Sequence, residues 1–381
     1  MKIAIFTDTY TPDVNGVAKT LARFTTFLKN KAIEFRVFVP KSSQENQVQD
    51  QIHAYPSLPF LLYPECRLAF PNLAEIKAEL NEFNPDIIHV ATPFSMGLAG
   101  LHFSKKLNIP IVGSYHTDFD KYLEHYNLQV FTFVLWKYLK WFHQPLEKIF
   151  VPSQDTKARL KKYQFKNLAI WPRGVDRSIF HPNHRTDQVR QKYQINEKYI
   201  LLYVGRLAPE KDVMILPEIA AQLPPHLKDN VHWLIVGDGP LKANLAKVAP
   251  SNMTFTGFLA AEQLAQAYAT ADLFVFPSAS ETFGNVVLES LACGVPVIGA
   301  NVGGVRTIIQ HNQTGILCQE KNSHQFVCAI VRMLSDPQLR VTMAEAGIKY
   351  AQSQSWEQIF QRLLQDYRMV LTKNDYETKL A

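Results

Sequence analysis

Largely apolar runs of four to seven residues recur along this chain, with segments of helical period between them. In the first half they cover residues 2–6, 35–39, 86–90, 109–115 and 148–151; in the second, 199–204, 233–236, 253–256, 273–276 and 295–298. A run that is apolar at nearly every position, rather than at alternate ones, predicts a strand buried on both faces of a parallel sheet. The segments between supply the crossovers. Residues 17–30 repeat their apolar positions at helical spacing, and 286–292 do so before stopping at Gly294. Strand–helix alternation throughout predicts an α/β fold built of doubly wound parallel sheets.

The alternation breaks once, at Trp171-Pro172-Arg173-Gly174-Val175-Asp176 and the polar run 183–192 that follows, which reads as a hinge. A chain of 381 residues is too long for one ordinary core. The expected division is 1–172, 173–355, and a C-terminal helix over 356–381 crossing back onto the first domain. The tail after Asp336 is expected to be helical throughout.

Ligands of doubly wound sheets sit beyond the carboxyl ends of the strands. That singles out Asp8, Asp13, Thr92, Pro93, His116, Asp118 and Ser153 in the first half. In the second half, the run 199–204 leads into Gly205-Arg206, with Lys211 five residues on. Two cations at a strand end beside a helix start suit a diphosphate. The run 233–236 leads into Gly237-Asp238-Gly239-Pro240, a turn opening a helix. The run 273–276 leads through Ser278 and Glu281 to Phe283-Gly284-Asn285, which opens a helix holding Glu289. The first N–H groups of such a helix and its dipole favour an anion. Glu281 and Glu289 would lie about 12 Å apart if the segment were helical throughout. A glycosidase acid–base pair stands roughly 5 to 9.5 Å apart, so the two read as separate grips on one long ligand.

Composition narrows the picture. Hydrophobic residues make up 47%, and the net charge is +6, which fits anionic ligands or an anionic membrane surface. No run of five Lys/Arg and no nucleic-acid motif occurs, so nucleic acid is not an expected partner. Cys66, Cys293, Cys318 and Cys328 have no metal-ligand spacing and are expected reduced and mostly buried. Residues 1–6 are too short for a signal sequence, and no run of 18 apolar residues exists, so a cytoplasmic protein is expected. The stretch 119–142 is unusual in holding nine aromatics. On a helical wheel Phe131, Leu135, Tyr138 and Phe142 share one face, Lys137, Lys140 and Gln144 another, and Pro145 ends the helix. It is either a helix packed on the sheet or an interfacial helix. On the second reading Lys121, Lys137, Lys140 and Lys148 meet anionic lipid at the inner face of the cell membrane.

Glu281, Phe283, Gly284 and Glu289 together resemble the Glu-x7-Glu motif of the retaining GT-B glycosyltransferases (glycosyl transferases group 1, family four). The resemblance covers nearly the whole chain. Through SYHTDFDKYL, KWFH and WPRGVD it points to bacterial mannosyl- and glucosyltransferases of the glycolipid-forming type. It implies two Rossmann-like domains facing across a cleft, with the acceptor on the first and the nucleotide sugar on the second. It implies that Glu281 holds the donor sugar and Glu289 the ribose. The amides of Phe283, Gly284 and Asn285 would meet the diphosphate, and Arg206 and Lys211 would neutralise it beside Gly205 and Gly237. His116 would contact the donor sugar near the reacting carbon. The loop centred on Asn15-Gly16-Val17 would lie beside the donor phosphates and the acceptor, with Asp13, Asn15 and Asp118 on the acceptor side. No metal and no other cofactor is implied, so the D-x-D at Asp118-Phe119-Asp120 is set aside. The base (GDP or UDP), the sugar (mannose or glucose) and the acceptor, lipid or soluble carbohydrate, stay open. A nicotinamide oxidoreductase is disfavoured by the missing G-x-G-x-x-G, and a non-catalytic sugar-nucleotide binder by the intact Glu281, His116 and Lys211.

Overall fold

The computed structural model describes residues 1–13, 15–42, 50–59, 66–116 and 132–380, the side chains of 375–380 excepted. Two compact units divide the chain: Met1–Thr117, Val130–Pro172 and Glu357–Ala381 belong to the first, and Arg173–Trp356 to the second.

In the first unit β1 (Ile3–Phe6) is followed by α1 (Gly16–Asn30), β2 (Phe35–Pro40), β3 (Ile52–Tyr55), the short β4 (Ser57–Pro59) and β5 (Arg67–Ala69), and α2 (Leu73–Phe83). Then come β6 (Ile87–Val90), α3 (Ser95–Leu107), β7 (Ile111–Ser114), α4 (Thr132–His143), β8 (Lys148–Val151), α5 (Gln154–Lys162) and β9 (Leu168–Ile170). Seven strands form one sheet in the order β3-β2-β1-β6-β7-β8-β9, every pairing parallel; β4 and β5 make a separate antiparallel pair. The order reverses between β1 and β6, so the crevice for a ligand opens where those two strands end. All four residues of β1 and of β6 are buried, as strands covered on both faces require.

In the second unit β10 (Tyr199–Val204), α6 (Ile215–Gln222), β11 (Val231–Val236), α7 (Lys242–Val248), β12 (Met253–Gly257) and α8 (Ala261–Thr270) lead to β13 (Leu273–Phe276). α9 (Asn285–Ala292), β14 (Val297–Ala300), β15 (Gly315–Cys318), α10 (Ser323–Ser335) and α11 (Pro337–Ser353) follow. The sheet, again parallel throughout, runs β12-β11-β10-β13-β14-β15, and its switch point lies between β10 and β13.

Three expectations need correction. The strand expected at 295–298 is Val297–Ala300, because Val295 completes the end of α9: its N–H donates to Ser290 O, and Ser290 Oγ donates back to Val295 O. The tail is not helical throughout. α11 ends at Ser353, and α12 (Trp356–Leu380) starts afresh beyond Gln354-Ser355. The buried face of α4 is Trp136, Leu139, Phe142 and His143, about one residue round from the wheel's Leu135 and Tyr138. The cause is a partner no local pattern reveals, since Trp136 stacks on Tyr163 at 3.7 Å and 9° from parallel. Phe133, Val134 and Trp141 are left on the surface at 66%, 60% and 58% exposure. Lys148 forms an ion pair of 2.7 Å with Asp366, and Phe131 and Lys121 lie outside the described residues. β3, β4, β5, β9 and β15 had no counterpart among the apolar runs; they are short, at sheet edges or in the separate pair.

α12 covers the first sheet with aromatic rings. Phe360 lies 5.2 Å from Phe24 and 5.3 Å from Phe27, and Tyr367 hydrogen-bonds His89 Nδ1. His89 Nε2 meets Ser114 Oγ at 2.6 Å. Burial pushes the His89 imidazole down to about 3 and that of His143 to about 4. A histidine whose folded pKa is depressed stays neutral in the fold but protonates near 6.5 once unfolded. The unfolded state then binds the extra proton, so stability falls as pH drops below about 6.5 and goes on falling toward the folded values. Thermal unfolding at pH 7 and pH 5 is expected to show that fall. In His89→Gln the difference between the two pH values should shrink, even though this variant melts lower at both; an unchanged difference would clear His89 of the effect.

Candidate active site

The second unit gathers its candidate residues at its switch point. Beyond β10 the chain passes Gly205 and Arg206 into a short 3-10 turn, Pro209–Lys211; beyond β13 it passes Ser278 to Glu281. These two loops are bonded to each other. Lys211 Nζ donates to Glu281 Oε1 at 2.5 Å, with both side chains under a fifth exposed. Ser280 Oγ donates to Glu210 O at 2.5 Å, and Ala279 N–H to Asp212 Oδ2 at 3.2 Å. Arg206 pairs with the carboxylate of Glu210, itself buried. Both expected cations are held by carboxylates.

The backbone of the Glu-x7-Glu segment is fixed from behind. Gly304 N–H donates to Glu281 O at 2.7 Å. Gly284, at φ +101°, forms the N-cap of α9 in a conformation that a side chain would strain. The segment is a loop up to Gly284 and helix only from Asn285, so the helical span assumed between Glu281 and Glu289 does not hold. The N–H groups of Phe283 and Gly284 donate to no described residue, and no acidic side chain occupies the first turn of α9. Asn285 Oδ1 is buried with no hydrogen bond among the described residues. One turn along, Glu289 Oε2 accepts from Tyr268 OH at 3.2 Å. Burial, and then the Glu289 charge, push the Tyr268 phenol well above its usual value, so it stays a donor. Tyr203 behaves alike: burial first, then Glu281, Glu210 and Asp212, raise its phenol, which donates to Arg206 O at 3.1 Å. Gly237 backs the turn after β10. A Cβ there would stand 1.9 Å from Gly205 O, and φ is +132°.

Sequence reasoning missed Glu210 and Tyr268. Glu210 was legible as the i+4 partner of Arg206; nothing in sequence pairs Tyr268 with a residue 21 positions away.

In the first unit Thr7 to Gly16 leave β1 at its switch point. Asn15 is the N-cap of α1, its Oδ1 accepting from Val17 N–H at 3.0 Å and Ala18 N–H at 2.9 Å, and its Nδ2 donating to Thr9 Oγ1 at 2.7 Å. Gly16 opens the helix, and Asp13 accepts from Thr9 Oγ1 at 3.3 Å and Ser42 Oγ at 3.2 Å. Asp8 is wholly buried and accepts from Thr92 Oγ1, Ser95 Oγ and Met96 N–H at 2.6 to 2.8 Å, capping α3. His116, just past β7, is buried with its ring 5.4 Å from that of Trp171. Asp118 and the D-x-D lie outside the described residues. Among the described residues no group of three or more His, Cys, Asp or Glu is arranged to hold a metal, and no helix is long and apolar enough to cross a membrane. Cys66, Cys293 and Cys318 are buried thiols and Cys328 is exposed.

Comparison with known proteins agrees with this architecture. The family Glycosyltransferase Family 4 matches residues 14–179, and Glycosyl transferases group 1 matches residues 185–350. The chain is 30% identical to a GDP-mannose-dependent alpha-mannosyltransferase of Corynebacterium glutamicum, over 97% of this chain and 89% of that one. It is 28% identical to the alpha-monoglucosyldiacylglycerol synthase of Streptococcus pneumoniae, over 100% of this chain and 88% of that one. Sucrose-phosphate synthase from Thermosynechococcus elongatus superposes with a TM-score of 0.80 at 22% identity, covering 98% of this chain and all of that one, which shows the shared GT-B fold. Two parallel-sheet units, each matched by a family description, together with a relative aligned nearly end to end, show that this chain belongs to the GT-B glycosyltransferases of group 1 and family 4.

Proposed function

We propose that this enzyme transfers a hexose from a nucleotide diphosphate sugar to a glycolipid acceptor, with retention at the anomeric carbon. The observation that carries the reading is the 2.5 Å Lys211–Glu281 bond joining the two loops that flank the switch point of the second sheet. An oxygen-rich anion with a sugar attached satisfies both partners: the diphosphate takes the ammonium, and the sugar hydroxyls take the carboxylate. The N–H groups of Phe283 and Gly284 at the head of α9 add donors to the diphosphate. Glu289, steadied by Tyr268, is assigned to the ribose. Arg206 beside Lys211 meets the charge that grows on the leaving diphosphate as the glycosidic bond breaks. Positioning and charge stabilisation carry the step without a covalent intermediate. His116 keeps the sugar contact that the family resemblance gives it, and Asp13, Asn15 and Gly16 the acceptor side.

Mannose from GDP-mannose is the favoured donor, since the relatives of about 30% identity are named for it. The alpha-monoglucosyldiacylglycerol synthase relative favours a glycerolipid-type acceptor. For a lipid acceptor, the exposed Phe133, Val134 and Trp141 of α4, with Lys137 and Lys140, supply an apolar and basic face for reversible contact with an anionic membrane.

A panel of GDP-mannose, UDP-glucose and UDP-galactose, read by nucleotide release with diacylglycerol and glycolipid acceptors, tests the reading. GDP release from GDP-mannose that depends on the lipid, an α-linked product by NMR, and turnover undiminished by EDTA are expected. A β-linked product would overturn retention, and release restricted to soluble acceptors would overturn the lipid.

A further inference from the structure

A cavity of about 500 Å³ lies in the first unit at the amino-terminal end of β8 and β9, the opposite end of that sheet from the switch-point loops. Its volume is in the range of small-molecule sites. Leu146, Ile149 and Phe165 form an apolar floor, each under a tenth exposed. Lys140 from the last turn of α4 and Lys166 from the turn before β9 stand at the rim, both exposed, and no acidic side chain lines the cavity. Lys140 Nζ donates to Gln164 Oε1 at 2.8 Å, which holds its ammonium across the mouth.

The turn that closes the cavity is shaped rather than slack. Gln164 and Asn167 both take left-handed backbone, at φ +63° and +56°, and both line the cavity. Gln164 is the residue just past the end of α5, where left-handed backbone commonly closes a helix, and Asn167 is of a type that tolerates it. The same turn is tied to α4 by Tyr163 stacked on Trp136. An apolar floor with two ammonium groups at its mouth is complementary to a hydrocarbon chain bearing an anionic head. Neither a bare phosphate nor a neutral lipid uses both parts.

We propose that this cavity binds a single anionic phospholipid, its phosphate between Lys140 and Lys166 and an acyl chain against Leu146, Ile149 and Phe165. The inference rests on the lipid-facing reading of α4, and it makes lipid charge a ligand of the enzyme apart from donor and acceptor.

Titration calorimetry on the whole protein, without donor or acceptor, tests it with dihexanoylphosphatidylglycerol below its micelle concentration. One molecule is expected to bind. Dihexanoylphosphatidylcholine and glycerol 3-phosphate should each bind at least tenfold more weakly. Lys140→Glu/Lys166→Glu, which changes only exposed side chains, should weaken binding about tenfold or more, with its Tm confirming that it folds. Lys137→Glu, on α4 outside the cavity, should leave this binding unaltered while weakening sedimentation with anionic vesicles. Undiminished binding in the double variant, or equal affinity for the phosphatidylcholine or for glycerol 3-phosphate, would overturn the site. Nucleotide release is not part of the readout, so failure here leaves the transferase reading standing, and the reverse also holds.

Discussion

Lys211→Ala is expected to lower kcat by about 10² to 10³, the usual effect of deleting one transition-state charge partner. The ammonium group has two duties. Before the donor arrives it is bonded to Glu281 Oε1 at 2.5 Å, so it fixes the loop after β13 against the loop after β10. As the sugar departs it meets the developing diphosphate charge, where an alanine offers nothing. Deleting the lysine also leaves Glu281 half-buried and without that partner, and removing one member of a sheltered pair is costlier than the pair's net worth. Steady-state nucleotide release with the preferred donor gives kcat and KM separately. A large fall in kcat with a modest change in KM identifies an interaction stronger in the transition state than in the ground state. A kcat within a factor of three of wild type would remove Lys211 from the catalytic step and, with it, the main support for the assignment of this site.

Gly237→Ala should lower stability by about 3 kcal/mol, which corresponds to a fall in Tm of roughly 6 to 12 °C for a domain of this size. The cause is a close approach of backbone to backbone. The new Cβ would come within 1.9 Å of Gly205 O at a φ of +132°, so either the turn after β11 or the strand end carrying Arg206 must move. Gly257 gives the control. Its φ is also positive, at +71°, yet a Cβ there meets nothing within 4 Å. Gly257→Ala should therefore cost only the left-handed strain, about 1 to 2 kcal/mol. Differential scanning calorimetry of both variants decides the point: equal losses would show that conformation, and not contact with Gly205, is the cause.

The sequence by itself determined the class of fold. β1, β6, β10 and β13 are apolar at almost every position, and only strands covered on both faces tolerate that pattern. It also determined which loops to inspect, because strand ends in a doubly wound sheet are where ligands go. Glu281, Phe283, Gly284 and Glu289 carried the family, since their spacing reflects one local object, a loop running into a helix. Partnership across the chain was decided only by the tertiary structure. Lys211 and Glu281 are 70 residues apart, and Glu289 and Tyr268 are 21 apart; the parallel crossovers bring each pair together. The edge strands β9 and β15 were not read because Leu168–Ile170 is only three residues long and Gly315–Cys318 opens on a glycine, and their pairing with β8 and β14 is what makes them strands. The buried face of α4 likewise depended on Tyr163, from a turn 27 residues after Trp136, because a helix wheel ranks faces by their own residues while burial is settled by what packs against them.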